Sequence, residues 1–293
     1  MRRQSRLRLL IQLCAAALFN GYFAGFTKNK IYTGQLKKGC VPVLNCYSCP
    51  GALGSCPIGS LQTLAAGKPH RISFYALGTL LLFGTVLGRL VCGFLCPFGL
   101  IQDLLHRIPA PKLRVPKAPD RILRCIKYAV LLAVLLLPML MTDPFGFGEP
   151  VFCKYFCPAG TLEGGIPHLL RNPMLRKLAG ALFSWKFAVL IAVLTGSVFI
   201  SRFFCRYFCP LGAFYALFNR FALYQMHVDT DKCNGCGACE AHCPMAVDVL
   251  RQINSGECIR CGKCKAACPT GAIRSSFPLK PDSRQQNPQD ELS

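Results

Sequence analysis

Two cysteine runs occupy the last third of the chain: Cys233-x2-Cys236-x2-Cys239-x3-Cys243-Pro244 and Cys258-x2-Cys261-x2-Cys264-x3-Cys268-Pro269. Thiolates at this spacing hold cubane [4Fe–4S] clusters. One loop wraps three ligands around a cube face, and the fourth cysteine of each run serves the other cluster. The proline stops the chain before that distant fourth ligand. Cys233, Cys236, Cys239 and Cys268 are thus assigned to one tail cluster, and Cys258, Cys261, Cys264 and Cys243 to a second. Structural zinc would use four-ligand sets without this double periodicity. Iron held this way moves single electrons, and the thiolates do no bond chemistry themselves.

A second pattern lies upstream. Cys-Pro-x-Gly occurs at Cys56, Cys96, Cys157 and Cys209, and three of these have a cysteine four residues earlier, at Cys92, Cys153 and Cys205. On a helix, positions i and i+4 share a face, so both thiolates are predicted to address one cluster. The proline loosens the backbone and frees amides for cluster sulfurs. Ala52 stands where the partner of Cys56 would be, and Cys46 and Cys49 are read as substitutes. Buried thiols filling space are the bland alternative, and they are the reading for Cys14 and Cys125, each alone beside an apolar stretch. Cys40 is open to either reading.

Positioning these motifs requires apolar elements. Hydrophobic residues make up 52% of the 293-residue chain, its mean hydropathy is +0.36, and 20 residues are cysteine. Four stretches approach the roughly 20 residues that cross a bilayer: Leu9–Phe26, Ser73–Val91, Cys125–Met141 and Trp185–Ile200. Pro138 is tolerable near a membrane helix end, and Trp185 suits an interfacial belt. The formal charge of +21 is confined to residues 1–226, with 26 Lys+Arg against 5 Asp+Glu; residues 227–293 hold 8 of each. Because these cations flank apolar runs and form no aromatic-lined groove, the charge reads as membrane topology and not as nucleic-acid binding.

Four spans place both termini on one side. Four arginines within the first eight residues and seven Lys+Arg between 97 and 127 favour the cytoplasm for that side, against six and four in the loops 27–71 and 143–184. A cleaved signal peptide at the start would leave three spans and place the tail outside; the uncleaved anchor agrees with a reducing compartment for the tail thiols. The expected location is the cytoplasmic (inner) membrane, multi-pass. Under this topology Cys92, Cys96, Cys205 and Cys209 form an inner membrane set, and four of Cys46, Cys49, Cys56, Cys153 and Cys157 form an outer set, giving four [4Fe–4S] clusters in all.

The fold class is an α-helical polytopic membrane protein of about four transmembrane helices with a C-terminal α+β two-cluster domain. The expected domains are 1–226, 227–276 and a polar, disordered tail at 277–293, with a proline-rich basic connection at 108–119. No haem attachment motif, P-loop or Rossmann fingerprint occurs. His70, His106 and His168 read as loop or headgroup-facing residues, with proton acceptance from a quinol as the alternative. Asp103 and Glu163 read as helix caps or solvated groups, with proton relay as the alternative.

At these residues the chain resembles the NapH/NosR/CcoG-type membrane polyferredoxins, which carry Cys-x3-Cys-Pro motifs ahead of a two-cluster ferredoxin, over about residues 70–275. The resemblance implies membrane electron transfer, from quinol toward a terminal reductase or from a cytoplasmic donor to an extracytoplasmic flavin protein. The first outer loop, with Cys46-x2-Cys49-Pro and Cys56-Pro, exceeds the simplest pattern and suggests an added external cluster. The expected function is electron conduction from a cytoplasmic ferredoxin or flavoprotein to an extracytoplasmic flavin or metal reductase subunit. The alternatives are a quinol dehydrogenase subunit, with a bound quinone, and a redox-sensing or metal-maturation factor. An intact span of about 30 Å separates clusters at opposite faces, too far for a single hop unless the Cys-Pro turns draw them inward.

Overall fold

The computed structural model describes residues 2–28, 30–66, 74–113, 115–141 and 148–277. His70 and nearly all of the expected disordered tail, from residue 278 on, lie outside the described residues.

Two described helices are long and apolar enough to cross a membrane, Lys117–Leu140 and Ala181–Phe199, with mean hydropathies of 2.0 and 1.8 over their apolar windows. Most of each window faces away from the protein. Leu132, Leu136 and Leu140 are exposed on the first, and Trp185, Phe187 and Ile191 on the second. Pro138 sits in the last turn of Lys117–Leu140, where the interrupted backbone bond disturbs little of the helix.

The other two expected spans take a different form. Ser73–Val91 contains a 14-residue helix, Phe74–Leu87, short of the roughly 20 residues a crossing needs. It ends because Gly88 turns left-handed (φ 57°), where a Cβ would come 2.6 Å from Asn219 Oδ1. The turn delivers Arg89, fully buried, to its acceptors, and the chain resumes as the short helix Leu90–Phe94. The first expected span, Leu9–Phe26, is shifted: the helix is Arg2–Phe19, followed after a break by Phe23–Lys28. Its Arg8 and Gln12 are buried and donate to the Gly93 carbonyl. This helix therefore presents a polar stripe to protein, which an apolar count over the same residues does not register.

The tail begins with strand Gln225–Val228, which pairs antiparallel with Ile273–Ser276, in register from Gln225 opposite Ser276 to Val228 opposite Ile273. Short helices Ala238–Ala241, Val249–Gln252 and Lys263–Ala267 lie between them. Met226, Val249 and Ile273 form a small core with Cys239 and Cys264. Met245, Val247 and Ile259 of the same tail join the main core, together with Leu80, Val91, Phe98, Val134 and Phe204. Ion pairs hold the joint: Glu257 meets both Arg89 and Lys127, two fully buried cations.

Candidate metal centres

Four cysteines that precede a proline adopt the same local geometry. Cys96, Cys157, Cys209 and Cys268 all have extended backbones, with ψ of 117°, 107°, 113° and 115°. A residue before proline is pushed out of the helical region by the ring. For the first three, the proline then opens a new helix at its first position, where its missing N–H costs nothing. The paired cysteines therefore do not ride one continuous helix, as the i, i+4 spacing predicted. Cys92, Cys153 and Cys205 lie within short helical segments, Leu90–Phe94, Phe152–Phe156 and Phe203–Tyr207, which end just before the second cysteine. In two of the three the second cysteine's side chain caps the following helix: Cys157 and Cys209 Sγ accept from the Gly160 and Gly212 N–H groups, both at 3.3 Å, whereas Cys96 makes no side-chain cap. A helix N-terminus favours a thiolate over a thiol.

In the tail, two small apolar cavities coincide with the two predicted ligand sets. One is lined by Cys233, Cys236, Cys239 and Cys268 with Val228 and Ile273. The other is lined by Cys243, Cys258, Cys261 and Cys264 with Met226 and Met245. Burial, then the charges of Cys261, Cys258 and Cys243, push the Cys264 thiol up to about 12. Gly235, Gly237 and Gly262 take positive φ in these loops, which lets the backbone curl around each hollow.

Upstream, Cys92, Cys96, Cys205 and Cys209 are all buried and converge. Burial, then the charges of Cys205, Cys92 and Cys96, hold the Cys209 thiol far above its ordinary range, against the lowering N–H of Gly212. Two fully buried cations flank this set. Arg89 donates to Cys205 O and Gly256 O, and Arg202 to Cys92 O at 2.6 Å and to Asp103. In the outer set, Cys46, Cys56, Cys153 and Cys157 converge: burial, then Cys153, Cys46 and Cys56, raise Cys157 well above the ordinary thiol value. The fifth candidate, Cys49, turns elsewhere, its Sγ 3.6 Å from Asn20 Oδ1. Cys40 stays close enough to Cys56 to be raised by it after burial.

The donor chemistry fits [4Fe–4S] clusters. Each set brings four sulfurs together, the two tail sets in small apolar cavities and the inner set beside the buried Arg89 and Arg202, and bound iron would take up the charge of thiolates that are costly to bury. Among the described residues no group of three or more His, Cys, Asp or Glu closes around a single metal ion.

The four sets are not isolated from one another. A Cβ on Gly93, between Cys92 and Cys96, would lie 2.5 Å from the Ile259 carbonyl, so the tail loop carrying Cys258 and Cys261 rests directly on the inner motif. Phe156, next to Cys157, stacks on Phe204, next to Cys205 (6.5 Å between ring centroids), and tilts against Phe208, next to Cys209 (5.7 Å). The inner and outer motifs are therefore neighbours in one core, and the separation expected from a full bilayer span does not arise.

Residues the spacing argument passed over complete the sites. Gln62 and Gln102 lie six positions after Cys56 and Cys96, and each amide reaches a cysteine of another motif: Gln62 Nε2 lies 3.6 Å from Cys153 Sγ, and Gln102 Nε2 3.1 Å from Cys205 Sγ. Glu163, six after Cys157, is buried and accepts from the Cys46 N–H at 2.8 Å; burial raises its carboxyl to about 7. The repeated offset was visible in the sequence as Cys-Pro-x-Gly-x-x-Gln/Glu. Asp103 is no cap: it binds Arg202 and Arg8, and these cations, led by Arg202, outweigh burial and hold it below the usual carboxylate range. His168 sits against Ser48 O at 2.9 Å.

A 4Fe-4S binding domain profile matches residues 71–116, 128–173 and 182–226, and a second 4Fe-4S binding domain matches 226–247 and 251–274. The ferredoxin-type protein MauN for methylamine utilization, from Paracoccus denitrificans, is 31% identical over 66% of this chain and 62% of its own length. The regulatory protein NosR of Stutzerimonas stutzeri is 30% identical over 52% of this chain and 19% of its own. The chain carries two kinds of 4Fe–4S binding domain and is similar to ferredoxin-type proteins of the NapH/NosR type. An uncharacterized protein of Methanocaldococcus jannaschii is similar at 30% identity over 58% of this chain and 64% of the relative. The chain spans less than two thirds of the length of each of these relatives. No solved structure matches it.

Proposed function

We propose that this chain is a membrane electron conduit whose four cysteine sets each hold a [4Fe–4S] cluster. The observation that carries the reading is the contiguity of the sets, from the tail through Gly93 and Ile259 to the inner motif, and through Phe156 and Phe204 to the outer one. When bound, each cluster supplies one-electron storage. The protein's residues hold the sulfurs, keep water out and set the charge. Electrons from a cytoplasmic ferredoxin or flavoprotein enter near Cys236, exposed at the tail surface, and leave beyond the outer set to an extracytoplasmic flavin or metal reductase subunit. The exposed apolar faces of Lys117–Leu140 and Ala181–Phe199 support a multi-pass location in the cytoplasmic membrane, with both termini in the cytoplasm. Anaerobic iron and sulfide counting with an EPR redox titration tests the reading: about 16 irons support it, while about 8 would leave only a tethered two-cluster tail.

One observation favours a second reading, in which quinol is the electron source. A cavity of about 370 Å³ opens beside Cys261, walled by Leu9, Leu100 and Leu104 and carrying His106 and His242. An apolar wall with titratable side chains suits a lipid-soluble carrier that gives up protons with its electrons. Reduction of the EPR signals by a quinol analogue, abolished by Leu104→Trp, separates this reading from the first.

A further inference from the structure

The two glutamines that follow Cys-Pro-x-Gly make the same three contacts at two separate sites. Gln62 Nε2 donates to Ile58 O at 3.4 Å and lies 3.6 Å from Cys153 Sγ, while its Oε1 accepts from the Phe152 N–H at 3.0 Å. Gln102 Nε2 donates to Phe98 O at 3.4 Å and lies 3.1 Å from Cys205 Sγ, while its Oε1 accepts from the Phe204 N–H at 3.0 Å. Both side chains are fully buried. The carbonyl end is fixed by a backbone donor, so the amide cannot turn over. A flipped amide would set NH2 against N–H and oxygen against sulfur. The Nε2 hydrogens must then point at the carbonyl one turn back and at the cysteine sulfur.

The geometry points to Gln62 and Gln102 as a matched pair of potential-tuning residues, each donating an amide hydrogen bond to one ligand sulfur of the outer and inner clusters. The inference rests on the ligand sets proposed above. Reduction adds negative charge to a cluster and its thiolates, and a fixed N–H donor stabilises that added charge. A donor to sulfur therefore raises the reduction potential, one of the levers that set cluster potentials. No proton moves in this role. The shorter contact at Cys205 makes the inner cluster the more strongly tuned of the two.

The test is an EPR-monitored redox titration of purified, iron-loaded Gln102→Leu and Gln62→Leu, with iron counted in the same samples. The inner-cluster signal is identified by its disappearance in Cys205→Ser, and the outer one by its disappearance in Cys153→Ser. The expected result is a downward shift of one cluster in each variant, larger for Gln102→Leu, with the other three signals in place. Gln102→Glu keeps the acceptor for the Phe204 N–H, removes the donor and adds charge, so its shift goes the same way and further. Unchanged potentials in fully loaded variants would overturn the inference and reduce both glutamines to braces for the backbone. So would the loss of one cluster in both Gln102→Leu and Gln102→Glu, which would mark an assembly role. A wild-type protein with iron in the tail alone would instead defeat the ligand sets on which the inference stands.

Discussion

Phe156 stacks on Phe204 with 28° between the ring planes, and each ring is the immediate sequence neighbour of a cysteine, Cys157 in one motif and Cys205 in the other. The pair joins segments that a topology of opposite membrane faces would hold apart. Phe204 is fully buried and also meets Phe98 edge-on, at 5.3 Å between centroids. Truncating it to alanine should cost about 3–5 kcal/mol of stability by leaving a cavity, read as a lower midpoint in thermal unfolding of the solubilised protein. Phe204→Leu, which keeps most of the volume, should retain its iron yet slow reduction of the outer cluster when electrons enter at the tail. Equal rates in Phe204→Leu and wild type would separate the ring from the route.

Cys46 and Cys49 stand three residues apart and face different neighbours. Cys46 Sγ lies 4.0 Å from Gly160 O beside the outer set, whereas Cys49 turns to Asn20. Cys46→Ser should lose about four irons, and Cys49→Ser should lose none. Iron counting on the two variants decides it, and the reverse pattern would move the outer ligand set.

Gly93 carries the joint between the tail and the inner motif. A methyl group there would press on the Ile259 carbonyl, a backbone atom that cannot rotate away. Gly93→Ala should cost about 1–3 kcal/mol as an overpacking substitution and loosen the tail against the inner set. Hydrogen exchange would show it as faster exchange around Ile259, with the four tail ligands of each cluster unaffected in iron content.

Asp103 joins Arg202 and Arg8 in a buried network. Its folded-state pKa is held down, chiefly by Arg202 against the opposing effect of burial, so its stabilisation is complete above the unfolded value near 4 and fades only as pH falls through the lower folded value. Asp103→Asn leaves two buried guanidinium groups short of a counter-charge and should cost roughly 3–5 kcal/mol. The difference from wild type should stay flat between about pH 5 and pH 8. A difference that shrinks as pH drops across that window would mean that Asp103 titrates near neutrality.

The cluster-binding grammar was legible because metal ligation imposes local spacing: the eight tail cysteines line their two cavities in the predicted groups of four, and the Cys-Pro-x-Gly cysteines gather in two further sets. The spans were only half legible. Hydropathy finds apolar residues wherever they fall, and Lys117–Leu140 and Ala181–Phe199 were found; it does not register that Gly88 must turn to bring Arg89 inside, or that Arg8 and Gln12 make the first helix face protein.

The sequence by itself marked which sulfurs are spaced to bind iron, since that property depends on residues a few positions apart. Only the tertiary structure decided that Cys46 and not Cys49 faces the outer set, that Gln62 and Gln102 reach sulfurs 91 and 103 residues away, and that the inner and outer motifs touch. Those relations depend on how the helices pack. Packing is settled by the sum of many contacts between distant segments, each too weak to leave a signature in local spacing.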